Sequence, residues 1–460
     1  MSNNLPGGLA EALDSKLSQQ FGRHRLTGLS VGLVVNSELA WSQGYGYADL
    51  VSERAPDSDT VFRVGSITKT FTATGIFQLR DQGKLGIDDP LVKHIPEFAQ
   101  VEVKVGSVEQ VTLRRIMCHH SGLMGESSGD YWETLDFPTI QDFIDRLPGT
   151  AIVIEPDSAF KYSNLAFALL GEVVSRVSGV PYDDYVRDNI LDPLGMSSSG
   201  FQLTDAIQEQ MAIGYQPRAH EDFPDVAPHP DIKGHTAAGQ LYSSVTDLAK
   251  WIGFQVDSDN ESVLSQKSKA EMCRPQFLEN GWRAGFCLPW FAHRLGDHVY
   301  LGHGGGIHGF LTEIFFDPTR RVGAIVLTNS DGHDANSPIV HAIFDVYDEV
   351  TKSTVRGSGI SRPTPTPTPP ELRQFLGRYS TVLGGAMFIE FRRGSLTLEM
   401  DPYSNDASSK IPMIPTDDLD VFIVTGDRYA GEELRFNRNS EGVVVGFHSA
   451  GFPARRLVEA

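Results

Sequence analysis

Two serine–lysine pairs at a spacing of three are the groups best equipped for covalent chemistry: Ser66/Lys69, within Phe62-Arg63-Val64-Gly65-Ser66-Ile67-Thr68-Lys69-Thr70-Phe71, and Ser158/Lys161. Residues three apart share a helix face, so such a serine and lysine can hydrogen-bond. A neutral amine beside a hydroxyl is a base next to a nucleophile, which opens acyl transfer without a catalytic histidine or aspartate. Context separates the two pairs. Ile67, Phe71, Ile76, Phe77 and Leu79 make an apolar-rich helical pattern that runs to Gly83 and predicts a buried helix. Burial is what such a lysine needs. Lowering a side-chain pKa from about 10.4 to about 7 costs roughly 4–5 kcal/mol, and desolvation with suitable polar neighbours must supply it. Ser158 instead follows Glu155-Pro156-Asp157, a turn signal, which predicts an exposed Lys161.

Acyl transfer also needs a proton donor for the leaving group and N–H donors for the oxyanion. Tyr162-Ser163-Asn164 offers a phenol and an amide just before an apolar helix at Leu165. Tyr403-Ser404-Asn405 repeats the pattern, but among turn residues. His303-Gly304-Gly305-Gly306 offers backbone N–H groups ahead of a strong strand. Two rival chemistries are weaker. Gly125-Glu126-Ser127-Ser128-Gly129 matches a nucleophile elbow, yet no strand precedes it and no long apolar helix follows. The histidine–glycine loop that should come before an elbow comes far after it, so a flexible loop at the site rim is expected. His293, His298, His303 and His308 recur every five residues, an interval that alternates faces along a strand. Cys118-His119-His120 reads as a helix end running into Ser121-Gly122. No metal and no other cofactor is expected.

These residues need a scaffold, and the apolar periodicity outlines one. Leu5, Leu9, Leu13, Leu17 and Phe21 predict an amphipathic first helix. Leu29 to Val35 and Ala40 to Gly46 predict a buried strand and its partner around the turn Asn36-Ser37. Residues 85–260 read as largely helical, with helices at Leu165–Ser178, Tyr182–Ile190 and Val245–Phe254. Strands return at Val299–Leu301, Phe310–Phe316 and Val322–Thr328, followed by a helix from Ser337 to Val350. The economical fold is α+β: one antiparallel sheet built from both ends of this region, flanked by helices, with an inserted helical subdomain. Pro363-Thr364-Pro365-Thr366-Pro367-Thr368-Pro369-Pro370 favours polyproline II, a semi-rigid spacer of about 25 Å. Beyond it, Met387–Phe391, Ser395–Met400, Val421–Val424, Glu433–Phe436 and Val443–Val445 predict a small all-β barrel of the up-and-down kind. The expected division is a catalytic domain over 1–352, a linker over 353–370 and an all-β domain over 371–460.

Composition narrows the partners. Net charge is −20 over 460 residues, which argues against nucleic acid and anionic membranes. No apolar run is long enough to span a bilayer. A small-molecule or short-peptide substrate is expected, and association into a homo-oligomer is compatible with the chain. Met1 to Pro6 has neither a basic start nor an apolar core, so a cytoplasmic protein is expected, or a periplasmic or secreted one if a leader has been removed. Cys118, Cys273 and Cys287 are read as free thiols.

The order Ser66-x-x-Lys69, Tyr162-x-Asn164, His303-Gly304-Gly305 closely resembles the serine β-lactamase-like superfamily, which includes class C β-lactamases, penicillin-binding DD-peptidases, D-aminopeptidases and β-lactamase-fold esterases. The resemblance covers roughly residues 8–350. Leu113 to Leu123, Leu169-Leu170-Gly171, Pro193-Leu194-Gly195-Met196 and Ala238 to Ser244 add to it. It implies that Ser66 is the nucleophile, that Lys69 assists its deprotonation, and that Tyr162 is the general acid/base. It implies an oxyanion hole from the N–H groups of Ser66 and Gly306, with Asn164, Gly304 and Gly305 binding substrate. The third motif departs from the β-lactamase pattern: His303 stands where lysine is usual, and Gly304 offers no hydroxyl. Histidine is only partly charged near pH 7, so a firm grip on a β-lactam carboxylate is not expected. Histidine there is similar to the esterase and D-aminopeptidase branches. There is no counterpart of the class A deacylating glutamate, which leaves deacylation to Tyr162. Phe375-Leu376-Gly377-Arg378-Tyr379 resembles the start of a lipocalin-like barrel appended to some peptidases of this family. The expected activity is that of a serine hydrolase acting through an acyl-enzyme on a small amide, a D-amino-acid-containing peptide. The alternatives are a short-chain carboxylesterase and a non-catalytic binding or sensor protein.

Overall fold

The computed structural model describes residues 8–218, 221, 223–279, 281–295, 298–351, 367–382, 386–392, 394–399, 410–426 and 430–457. The chain divides into two compact units, one of Met1–Ile87, Leu170–Asp231 and His235–Gly357, the other of Asp88–Leu169, Ile232–Gly234 and Ser358–Ala460. Tyr403-Ser404-Asn405 and residues 353–366 of the expected linker lie outside the described residues.

The first unit is built on an eight-stranded sheet in the order Glu38–Gly46, Gly28–Val35, Val322–Thr328, Phe310–Asp317, His298–Ile307, Phe291–Leu295, Ala284–Phe286 and Phe277–Leu278. Every neighbouring pair is antiparallel. The two ends of the region meet inside the sheet, in its second and third strands, with Leu29 opposite Thr328 and Val35 opposite Val322. Both of these interior strands are buried on both faces, consistent with their continuous apolar runs. One face is covered by the helices Leu9–His24 and Asn336–Val350, whose Leu9, Leu13, Leu17, Ile339 and Ile343 share a core with Leu29, Val31, Leu33 and Val326. On the other face runs the helix Val245–Val256, so close that a Cβ on Gly32 would stand 2.6 Å from Val245 and one on Gly323 2.5 Å from Ile252. Trp251 of this helix stacks on Phe71 of the helix Thr68–Asp81 with ring centroids 4.1 Å apart. The sheet and its helices follow the sequence reading. The edge strands at 277–278, 284–286 and 291–295 do not appear in it, because each is short and interrupted by glycine, proline or charge.

Residues 85–260 are less helical than expected. Helices Leu91–His94, Leu113–Met117, Tyr131–Thr134 and Ile140–Asp145 span at most 6 residues each, with loops between them. The long elements stand where the periodicity placed them, at Asn164–Ser178, Tyr182–Val186 continued by a π-helical turn to Leu191, and Val245–Val256.

In the second unit, eight strands form a closed barrel: Gly377–Thr381, Ala386–Arg392, Ser395–Glu399, Lys410–Pro415, Val421–Val424, Glu433–Arg438, Val444–Ser449 and Phe452–Arg456. Each pairs antiparallel with the next, and the last returns to the first with Arg456 opposite Tyr379. Alternate residues fill the interior, among them Ile389, Leu398, Met413, Phe422, Leu434 and Phe447. The Tyr379 hydroxyl, buried there, donates to Phe375 O at 2.8 Å. The barrel packs on the short helices of the same unit: Trp132 lies 4.9 Å from the Phe452 ring. A Cβ on Gly431, at φ +77°, would meet Ile154 at 2.2 Å. Among the described residues, no helix is long and apolar enough to cross a membrane.

Candidate active site

Ser66 sits in a 3₁₀ turn, Gly65–Ile67, that feeds the helix Thr68–Asp81. A 3₁₀ turn brings residues i and i+3 into register, and Lys69 Nζ donates to Ser66 Oγ at 2.9 Å. Lys69 is fully buried, and the same Nζ donates to Ala238 O at 2.6 Å. The entire stretch Thr68–Leu79 is buried despite its threonines. Thr70 and Thr74 return their hydroxyls to the backbone of the preceding turn, and Thr72 donates to Ala237 O at 2.7 Å. The turn itself is anchored by a short ladder, Phe62–Arg63 against Tyr242–Ser243, and by Val64 N donating to Leu241 O.

The glycine-rich strand comes against this turn at backbone distance. A Cβ on Gly305 would stand 1.9 Å from Val64 O, and one on Gly65, at φ +52°, 2.7 Å from Gly306 N. Thr312, paired with Gly305, ties the approach by donating to Val64 O at 2.9 Å. Glycine is required at both positions because nothing larger fits between the two backbones. Ser66 and Gly306 therefore belong to adjoining backbone segments. His303 is buried, its ring 4.9 Å from that of Phe291. Its Nδ1 donates to Gly304 O at 2.6 Å, which fixes the proton on Nδ1. Next to the turn, Arg63 is fully buried and donates to Gln240 Oε1 at 3.1 Å. Burial pulls its pKa down to about 10.

Tyr162 and Asn164 belong to the second unit, where each residue from 161 to 164 is tied in place. The Tyr162 ring stacks on His119 with centroids 4.1 Å apart. His119 Nδ1 accepts from Ser163 N at 3.3 Å, so the ring is the neutral Nε2–H tautomer. Ser163 Oγ donates to Met124 O at 2.8 Å, and Asn164 Nδ2 donates to Glu126 Oε1 at 2.6 Å. The other Glu126 oxygen accepts from Tyr131 at 3.0 Å. Burial, followed by the Glu126 charge, pushes the Tyr131 phenol far up, so it stays a donor.

Two expectations are corrected here. Lys161 is not exposed: its side chain is fully buried and ion-paired with Glu432 of the barrel. The turn signal was correct locally, since Ser158 turns back to Glu155 O, but the covering carboxylate lies 271 residues away in sequence. The Gly125–Gly129 segment is a loop, as expected, but only Ser128 and Gly129 are exposed. Gly125, Glu126 and Ser127 are buried, and Gly125 N donates to Glu432 Oε1 at 2.8 Å. Glu126, His119 and Glu432 were not singled out for these roles, and no local pattern marks them. The three cysteines are free thiols, and burial raises Cys118 to about 12, too high for ready nucleophilicity. Among the described residues no three metal-ligating side chains converge.

Comparison with known proteins fits this architecture. Residues 13–345 match the Beta-lactamase family, and the chain belongs to that family. Protein flp of Staphylococcus aureus (strain NCTC 8325 / PS 47) is 24% identical over 347 residues, covering 75% of this chain and 68% of that protein. Among solved structures, the octameric penicillin-binding protein homologue from Pyrococcus abyssi superposes with a TM-score of 0.64 at 23% identity, covering 96% of this chain and 99% of that one. That match therefore extends into the barrel region. The β-lactamase/D-alanine carboxypeptidase from Yersinia pestis, complexed with citrate, gives 0.63 at 24% identity, covering 76% and 100%. The fold is the β-lactamase arrangement of helices and antiparallel sheet, followed by a closed eight-stranded barrel.

Proposed function

We propose that this protein is a serine hydrolase that forms an acyl-enzyme on a small amide, a peptide containing a D-amino acid. The observation that carries the reading is the 2.9 Å contact between buried Lys69 and Ser66 Oγ. In the proposed reaction Ser66 Oγ bonds to the carbonyl carbon as its proton passes to the Lys69 amine. The oxyanion is held by the N–H groups of Ser66 and Gly306. Tyr162 delivers a proton to the leaving nitrogen as the C–N bond breaks. Water then attacks the ester with Tyr162 as base, and Ser66 recovers its proton. Asn164, Gly304 and Gly305 contact the acyl part.

The D-amino-acid assignment rests on His303 in place of lysine and on the appended barrel, read as lipocalin-like. The catalytic domain is proposed to be 1–352, with the barrel over 371–460. The Pyrococcus abyssi homologue is described as octameric; a homo-oligomer of this chain is a proposal that light scattering checks.

A panel of D- and L-aminoacyl nitroanilides with short-chain nitrophenyl esters tests the reading. Turnover of D-aminoacyl amides is expected. Cleavage of esters alone would replace the peptidase with a carboxylesterase. A fluorophosphonate probe is expected to label wild type and not Ser66→Ala. Absence of labelling in both would leave a binding or sensor protein.

A further inference from the structure

The ion pair between Lys161 and Glu432 joins the residue before Tyr162 to the barrel. Glu432 is 6% exposed and Lys161 0%. Burying two charges is costly, and such a pair is often no more stabilising than apolar residues of the same size. What a buried pair does supply is direction. Glu432 Oε1 accepts from Lys161 Nζ and also from Gly125 N at 2.8 Å. Gly125 lies under all of these groups: an added Cβ would be 3.2 Å from Glu432 Oε1, 3.3 Å from Tyr162 O and 3.7 Å from Lys161 Nζ. Gly125 O in turn accepts from Leu165 N at 3.0 Å, where the Asn164–Ser178 helix begins. One barrel carboxylate oxygen thus fixes the chain on both sides of Tyr162-Ser163-Asn164.

His119 stacks on Tyr162 and accepts from Ser163 N, Met124 O accepts from Ser163, and Glu126 accepts from Asn164, so these ties come from residues 119–126. Glu432 closes the set from a distant part of the chain. At its own position, Gly431 takes a left-handed φ of +77° against Ile154, which delivers the glutamate inward. We infer that Glu432 is a positioning residue for the Tyr162 segment, acting through Lys161 and Gly125, so that the barrel forms part of the reaction scaffold. The inference rests on the acyl-enzyme reading for its kinetic consequence and on geometry alone for its structural one.

The experiment uses the full chain with Glu432→Ala, Glu432→Gln, Lys161→Met and the Glu432→Ala/Lys161→Met double variant. On the substrate that wild type turns over best, Glu432→Ala and Lys161→Met are each expected to lower kcat about 10- to 100-fold, with KM within about 3-fold. The double variant should be no worse than the weaker single one, because both remove the same link. Glu432→Gln keeps an acceptor and should recover most of the lost kcat. A kcat within about 2-fold of wild type in Glu432→Ala, losses that multiply in the double variant, or a Gln variant no better than Ala would overturn the inference. If Glu432→Ala does not fold, Glu432→Gln and Lys161→Met carry the comparison. Amide hydrogen exchange gives a readout independent of activity. In Glu432→Ala and Lys161→Met exchange over 161–165 and 123–127 should accelerate at least about 10-fold while the Thr68–Asp81 helix keeps its protection. Unchanged exchange at 161–165 would overturn the inference. Failure of Ser66-dependent labelling sinks the hydrolase reading alone and leaves the exchange result decisive here.

Discussion

Ser66/Lys69 and Ser158/Lys161 have the same spacing, and both lysines are fully buried, yet they meet different partners. Lys69 points at the hydroxyl of its own serine and at a backbone carbonyl. Lys161 meets the Glu432 carboxylate. The difference begins in the backbone. A 3₁₀ turn running into a helix stacks residue i over i+3 at Ser66, whereas Ser158 lies in a turn whose hydroxyl is taken by Glu155 O. A neighbouring hydroxyl can exchange a proton with an amine; a neighbouring carboxylate holds the amine as a cation. Burial alone therefore does not make a lysine a base. The partner it is buried against decides.

The sharpest way to break this contrast is at the serines. Ser66→Ala is expected to lower turnover by about 10⁴-fold or more, read by steady-state kinetics, whereas any comparable loss in Ser158→Ala would assign the chemistry to the wrong pair. At the lysines, Lys69→Met should lower kcat about 10²- to 10⁴-fold and abolish fluorophosphonate labelling at neutral pH. Lys161→Met should act more weakly on kcat and more strongly on stability. It leaves Glu432 buried without its counter-charge, a loss of about 3 kcal/mol in urea denaturation. Pairing Lys161→Met with Glu432→Leu should restore much of that stability but not the rate; recovery of both would mean that the pair only fills space. Ser158→Ala should be the quietest change, within about 0.5 kcal/mol of wild type.

The central features of the first unit were legible because they are local. Four-residue leucine spacing marks the first helix, unbroken apolar runs mark the interior strands, and the pattern after Ser66 marks its helix. The strands Ala386–Arg392 and Val421–Val424 were visible for the same reason. Lys410–Pro415 was not, because Pro412 and Pro415 punctuate it as a loop would be punctuated. Gly377–Thr381 has too few apolar residues to alternate. In the candidate site, the Ser66–Lys69 contact follows from a spacing of three, and the glycines of the 304–306 stretch were visible as a motif. Lys161 and Gly125 were misread because both donate to Glu432, and a partner so distant in sequence leaves no periodic trace.

The pairing of Leu29 with Thr328 has a consequence for how the chain comes into being. The strand at Gly28–Val35 emerges early from a ribosome, yet its interior neighbour is made almost 300 residues later. At about 5–20 residues per second, that wait lasts roughly 15–60 seconds. Through that interval the early strand has only its hairpin partner, Glu38–Gly46, to cover one edge. An apolar strand with an open edge invites pairing with other chains. The protein's most exposed moment is thus set by the order in which its sheet is assembled, and slowing or truncating synthesis before residue 322 should drive it into aggregates well before it affects the finished fold.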